Sequence, residues 1–273
     1  MNVGVIGTGH VGLVTCVTMA ATGHRVVGCD SDPEKMAQLG RGSTPFFEPG
    51  LQELLDETTE SGALSFTSDA EKAIADAQVV FICVGTPAKA SGEANLIAVE
   101  QAAQSVARHA TGKTVVVEKS TVPAGTAERM TLKLSRESGG RRFLVASNPE
   151  FLREGTALKD ALEPDRIVVG AGDPRAFEVL RELYAPITDA GCPMIETDIA
   201  TAELAKHASN AFLALKISFV NALDPDALVD AGFTYHATGR PVAGATPRGS
   251  GGTGLNGNGH LAAGVATASW PSS

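Results

Sequence analysis

The chain has 273 residues, 43% of them hydrophobic and 19% charged, with a formal net charge of -9. That balance describes a globular protein with one large or two ordinary cores, and it argues against a nucleic-acid partner, which needs clustered Lys and Arg. No apolar run reaches the roughly 18 residues of a membrane span, so no membrane partner is expected, and Asn2 opens a strand without the basic and apolar stretches of a secretory signal.

In chain order, short apolar runs alternate with helical patterns. Strands are expected at Asn2 to Gly7, Arg25 to Cys29, Leu64 to Thr67, Val79 to Val84, Thr114 to Glu118, Phe143 to Ser147 and Arg166 to Gly170, with another after Cys192. Helices are expected at Val11 to Thr22, Pro33 to Leu39, Ala70 to Ala75, Leu96 to His109, Ala124 to Glu137 and Pro174 to Tyr184. A long helix follows from Asp198, its N-cap, to Leu223. This alternation predicts an α/β fold: a Rossmann-like, doubly wound parallel sheet with helices on both faces and a ligand site at the carboxyl ends of the strands. The pattern breaks at Asp224-Pro225. Residues 242–273 are rich in Gly, Ala, Ser and Thr and cannot bury enough surface to offset their ordering entropy, which predicts a disordered tail. The expected organisation is a nucleotide-binding domain over 1–197, a helix over 198–223, a short segment over 224–241 and the tail.

Four cysteines, Cys16, Cys29, Cys83 and Cys192, are scattered without metal-ligand spacing. They read as free thiols of a reducing, cytoplasmic compartment, and no metal site is expected.

Gly7-Thr8-Gly9-His10-Val11-Gly12 forms a G-x-G-x-x-G between the first strand and the first helix. Gly7 permits the tight turn, Gly9 the approach of a pyrophosphate, and Gly12 close helix–strand packing, while the helix N-terminus offers free N–H groups to the anion. Asp30 ends the second strand at the distance expected of a carboxylate that accepts from ribose hydroxyls. Ser31 follows it, where a 2′-phosphate would call for arginine, so NAD is expected over NADP. Further on, Lys206 and Asn210 are spaced i, i+4 on one helix face with Glu203 on the same side. A cation and an amide so placed can stabilise a developing alkoxide, whereas the bland alternative is a solvated Glu203–Lys206 pair.

Five segments carry a family resemblance: Phe47-Glu48-Pro49-Gly50-Leu51, Phe81-Ile82-Cys83-Val84-Gly85-Thr86-Pro87, Ser120-Thr121-Val122-Pro123-Ala124-Gly125-Thr126, Asn148-Pro149-Glu150-Phe151-Leu152-Arg153-Glu154-Gly155 and Glu203-Leu204-Ala205-Lys206-His207-Ala208-Ser209-Asn210. In this order they resemble the UDP-glucose 6-dehydrogenases of the UDP-glucose/GDP-mannose dehydrogenase family. The resemblance implies NAD-dependent double oxidation of UDP-glucose to UDP-glucuronate. It places Asp30 and Lys35 on the adenosine ribose, and Val84, Gly85, Thr86 and Thr121 along the NAD channel. Glu154 falls near the nicotinamide ribose. Glu150 handles protons or positions water, residues 150–154 contact the sugar nucleotide, and Lys206 and Asn210 hold the oxygen at C6. Thr121 joins Glu150, Lys206 and Asn210 among the implied catalytic residues.

In the family, a cysteine thiolate adds to the aldehyde so that a second oxidation can follow. It lies in a GGSCFPKD-like motif that has no counterpart here. The chain passes from Asn221-Ala222-Leu223 to Asp224-Pro225, and Gly232 to Pro241 then resembles the family's C-terminal stretch, so the junction reads as an internal deletion that removes most of the UDP-binding domain. UDP-glucose binding is therefore expected to be weak or lost and turnover impaired. Two alternatives stand beside this: an NAD-binding, non-enzymatic fragment associating with itself or a full-length relative through the long helix, and a GDP-mannose 6-dehydrogenase relative.

Overall fold

A computed structural model of the chain describes residues 1–111, 114–139 and 143–222 together with the strands Tyr235–Thr238 and Val265–Ala268. It divides into two compact units, Met1–Ala208 and Ser209–Ser273.

The first unit alternates strands and helices: β1 (Asn2–Ile6), α1 (His10–Ala21), β2 (Arg25–Cys29), α2 (Pro33–Leu39), α3 (Leu51–Glu60), β3 (Leu64–Thr67), α4 (Ala70–Ile74), β4 (Val79–Ile82), α5 (Ile97–His109), β5 (Val115–Glu118), α6 (Thr126–Glu137), β6 (Leu144–Ser147), α7 (Ala157–Leu162), β7 (Ile167–Ala171), α8 (Pro174–Thr188) and β8 (Met194–Thr197). Helix α9 (Ile199–Ala222) begins in this unit and ends in the second. The strands form one sheet in the order β3-β2-β1-β4-β5-β6-β7-β8. Strand β1 is the pivot, with Ile6 opposite Cys29 of β2 on one side and Ile82 of β4 on the other. Strand order reverses there, which opens a crevice outside the carboxyl ends of β1 and β4.

The central strands Val79–Ile82 and Val115–Glu118 are buried on both faces, so Val79–Ile82 and residues 115–117 read as unbroken apolar runs rather than alternations. Their side chains divide between two cores. Val79, Phe81, Val115 and Val117 join Leu13, Val17, Leu180 and Leu183 on one face. Val80, Ile82 and Val116 join Val106, Met130 and Leu134 on the other. Each such buried side chain contributes about 1.5–3 kcal/mol. Helix α1 is buried from Gly12 to Ala20, as its nearly continuous apolar sequence requires.

The expected elements are present with boundary shifts of a few residues, and three features depart from them. Every junction of the sheet is parallel except β6–β7, which is antiparallel. Helices α3 and α7 fall on segments where no helix was expected. Helix α8 continues past Tyr184 to Thr188 and carries Pro186 in its last turn. In the second unit, Tyr235–Thr238 (β9) pairs antiparallel with Val265–Ala268 (β10). Within the stretch from Gly232 to Pro241 that resembles the family's C-terminal segment, Tyr235 opens β9, and residues 233–234 lie outside the described residues. Most of the 224–241 segment and of the tail expected to be disordered also lies outside them, and the four tail residues that are described form β10. No helix among the described residues is long and apolar enough to cross a membrane.

Candidate functional site

Five loops leave the carboxyl ends of β1, β2, β4, β5 and β6, and because these strands run parallel, all five reach the same edge of the sheet. They carry nearly every residue singled out in the first unit.

The glycine loop comes first. Gly7 has φ +92, a left-handed conformation suited to glycine, and its N–H donates to Cys29 O at 2.8 Å. A Cβ on Gly12 would stand 1.8 Å from Gly7 O, so only glycine lets α1 lie this close to the end of β1. Gly9 differs: its φ of -69 is ordinary, and a Cβ there would meet nothing within 4 Å. Neither backbone nor packing within the chain calls for glycine at position 9, and its bare backbone faces open space as the N-cap of α1. Gly85, after β4, is likewise open. This cradle, with unpaired N–H groups at its helix end, fits the pyrophosphate of a dinucleotide. Val11 packs partly into the core beneath the loop, and His10 stacks on Phe46 at 4.6 Å between ring centroids.

Asp30 stands at the end of β2. Its Oδ2 accepts from Thr8 N at 2.8 Å, Thr8 Oγ1 at 3.1 Å and Lys35 Nζ at 2.7 Å, and its Oδ1 accepts from Asp32 N at 3.0 Å. Burial pushes the Asp30 carboxyl up, but the hydrogen bonds from Lys35, Thr8 and Asp32 outweigh it and hold the group below the usual carboxylate range. Asp30 and Lys35 are thus brought together beside the glycine loop. Val84 is half-buried after β4, and Thr86 Oγ1 donates to Thr121 O at 2.7 Å, tying the loops of β4 and β5.

After β6, Glu150 meets Lys206 of α9 with Nζ–Oε1 2.8 Å, and both side chains are nearly buried, at 11% and 9% exposure. Glu150 Oε2 also accepts from Leu152 N at 2.6 Å. Two cations stand over the Phe151 ring, Arg166 at 4.9 Å and Lys206 at 5.6 Å from its centroid. Leu152 packs against the core. Arg153 points its exposed guanidinium at Asp160, with Nη2–Oδ1 2.6 Å and Nε–Oδ2 3.0 Å, and Glu154 is exposed. Asn210 belongs to the second unit, so the first unit by itself holds Glu150, Lys206 and Thr121.

Several supporting residues escape sequence reasoning. Glu203 does not pair with Lys206: its carboxylate accepts from Gly125 N at 2.6 Å and Ala127 N at 2.8 Å, capping α6. The buried Glu48 caps α7 in the same way, through Gly155 N at 3.0 Å and Ala157 N at 2.7 Å. Lys119 Nζ and Tyr184 OH both donate to Asn148 Oδ1, at 2.9 and 2.5 Å, anchoring the loop that carries Glu150. Burial lowers the affinity of Lys119 for its proton, against the opposing fields of Cys83 and Glu150. Glu118 is fully buried at the end of β5, and burial pushes its carboxyl up to about 8. The signal for these residues was a carboxylate or lysine inside an apolar or loop motif, but their partners are far away in sequence.

None of the four cysteines is an activated thiol. Burial pushes Cys83 up to about 12, Cys29 up to about 11 and Cys16 well above its ordinary value, and it also raises the half-buried Cys192. No cluster of three or more His, Cys, Asp or Glu among the described residues is arranged to hold a metal ion.

Residues 1–188 match the UDP-glucose/GDP-mannose dehydrogenase family, NAD binding domain. A UDP-glucose 6-dehydrogenase of Bacillus subtilis is 47% identical over 222 residues, covering 81% of this chain and 50% of that protein. The structure of a UDP-glucose dehydrogenase from Pyrobaculum islandicum is 48% identical with TM-score 0.77, covering 80% of this chain and 51% of the other. A GDP-mannose dehydrogenase from Pseudomonas aeruginosa is 34% identical with TM-score 0.79, covering 85% and 56%. The chain spans about half the length of the curated relatives it matches. It belongs to the UDP-glucose/GDP-mannose dehydrogenase family, and its first 188 residues are that family's NAD-binding domain.

Proposed function

We propose that the chain derives from a UDP-glucose 6-dehydrogenase, holding NAD at the β1/β4 crevice and retaining one side of the sugar-oxidation site, with very low net turnover from these residues alone. The observation that carries this reading is the buried Lys206–Glu150 pair, 2.8 Å apart, at the same sheet edge as the glycine loop. NAD supplies the hydride acceptor for oxidation at C6 of the sugar. The N–H groups opening α1 bind its pyrophosphate, Asp30 with Lys35 holds the adenosine ribose, and Val84, Gly85, Thr86 and Thr121 line its path. Glu154 reaches the nicotinamide ribose, while residues 150–154 meet the sugar nucleotide. Lys206, with Asn210 one turn later, steadies negative charge on the C6 oxygen, and Glu150 handles the proton or places water.

The second oxidation needs a thiolate, and burial disfavours the thiolate form of each of the four cysteines. That supports impaired turnover. The free thiols also fit a reducing cytoplasm. A second reading, an NAD-binding partner of itself or of a full-length relative, is favoured by the exposed apolar residues Phe212, Leu213, Leu215 and Phe219 on α9.

NADH formation followed at 340 nm with UDP-glucose, and in parallel with GDP-mannose, tests the reading. Bound NAD with little NADH is expected. Two NADH per UDP-glucose at a useful rate would refute the impairment, and a preference for GDP-mannose would move the assignment to the other branch. Subunit exchange with a full-length relative would support the second reading.

A further inference from the structure

His10 is the first helical residue of α1, immediately after Gly9, so it stands where a pyrophosphate meets the helix N-terminus. One face of its ring is covered by Phe46. Its Nε2 is buried and has no hydrogen-bond partner among the described residues. It faces Glu48 Oε2 at 3.7 Å, too far for a hydrogen bond. Glu48 is 1% exposed and has two N–H donors of its own, from Gly155 and Ala157 at the start of α7. A buried carboxylate thus looks across a short gap at a ring nitrogen that satisfies nothing.

We infer that His10 is a proton-linked contact of the NAD site: cofactor binding draws a proton onto its imidazole, and the resulting cation bridges the pyrophosphate and Glu48. This rests on the reading proposed above, in which NAD occupies the β1/β4 crevice. Histidine is the side chain whose charge changes most readily near neutrality. Beside His10 stand the buried carboxylate of Glu48 and the N-terminal end of α1. The next charged pair along the sheet edge, Asp30 with Lys35, neutralises itself at 2.7 Å. The two negative charges of a pyrophosphate offset the helix end and attract a cation, so their arrival favours the imidazolium. A charge-assisted hydrogen bond is about 2.7–2.9 Å long, so protonation draws His10 and Glu48 together. Glu48 holds the start of α7, so cofactor occupancy is transmitted to the turn that follows Glu150 and Glu154.

Isothermal titration of NAD into the full chain at pH 7, in two buffers of different ionisation enthalpy, tests this directly. The wild-type protein takes up a fraction of a proton per NAD, and its Kd weakens by up to tenfold per pH unit as pH rises across the histidine range. In His10→Gln the uptake disappears and Kd becomes flat with pH. Wild-type binding with no proton exchange between pH 6 and 8 would overturn the inference, as would uptake that persists in His10→Gln. The wild-type titrations decide by themselves if that variant fails to fold. Absence of NAD binding would overturn the cofactor assignment together with the inference, whereas binding without proton uptake overturns the inference alone.

Discussion

Gly9 and Gly12 belong to one motif and look interchangeable in sequence, yet their surroundings predict opposite failures. In Gly12→Ala the new Cβ would stand 1.8 Å from Gly7 O, against a floor of 3.4 Å for ordinary contact, a shortfall of about 1.6 Å (3.4 minus 1.8). The obstacle is backbone, with Cys83 Cβ also only 3.1 Å away, so no flexible side-chain end can yield. Helix α1 must lift from β1, at the cost of about 1–3 kcal/mol typical of overpacking. For a unit of this size that lowers Tm by roughly 3–10 °C. The lift also carries the amides of α1 away from the pyrophosphate, weakening NAD by about 10-fold or more. Gly9→Ala meets nothing within 4 Å and keeps an accessible φ of -69, so Tm stays within about 2 °C while the methyl occupies the cofactor's space and NAD affinity falls. Thermal unfolding paired with NAD titration reads both variants. Wild-type affinity in Gly9→Ala would show that no pyrophosphate lies against residue 9, and a wild-type melt in Gly12→Ala would refute the packing argument.

Three further outcomes follow from the buried charges and thiols. The folded protein holds Glu118 protonated up to about pH 8 whereas the unfolded chain ionises it near 4.5, so stability declines as pH rises through that window. Glu118→Gln should therefore gain Tm relative to wild type between pH 5 and pH 9, and an equal difference at both pH values would refute the burial argument. Lys206→Met leaves Glu150 buried without its cation and should cost about 3–5 kcal/mol in urea unfolding, with Glu150→Leu added on top recovering most of the loss; additive effects would show that the pair is not coupled. A thiol reagent at pH 8 should label Cys192 slowly and Cys16, Cys29 and Cys83 only on unfolding, and rapid native labelling of any of them would reveal an activated cysteine.

What the sequence discloses is what local pattern controls. The apolar runs Val79–Ile82 and 115–117 announce central strands, and the glycine spacing after β1 announces the crevice. The carboxyl-edge placement of Asp30, Glu150 and Thr121 then follows from parallel topology. What it conceals depends on distant partners. Helix α7 has six residues and holds its first turn through Glu48, more than a hundred positions earlier, so no local signal marks it. Glu203 shares a helix with Lys206 at a spacing that suggests a pair, but the N-terminus of α6 offers two amide donors, which a lysine one turn away cannot match. The reversal at β6–β7 reflects the path between those strands, which hydrophobic periodicity does not encode. The anchoring of Asn148 by Lys119 and Tyr184 joins three separate elements and is visible only once they are packed.

The central claim is that NAD lies in the β1/β4 crevice with its adenosine ribose on Asp30, and the most direct measurement is an NAD titration of the wild-type chain beside Asp30→Ala. A single saturable site that weakens at least about tenfold in the variant is the expected result, because the ribose loses charge-assisted hydrogen bonds. No saturable binding, or affinity unchanged by Asp30→Ala, would contradict the account.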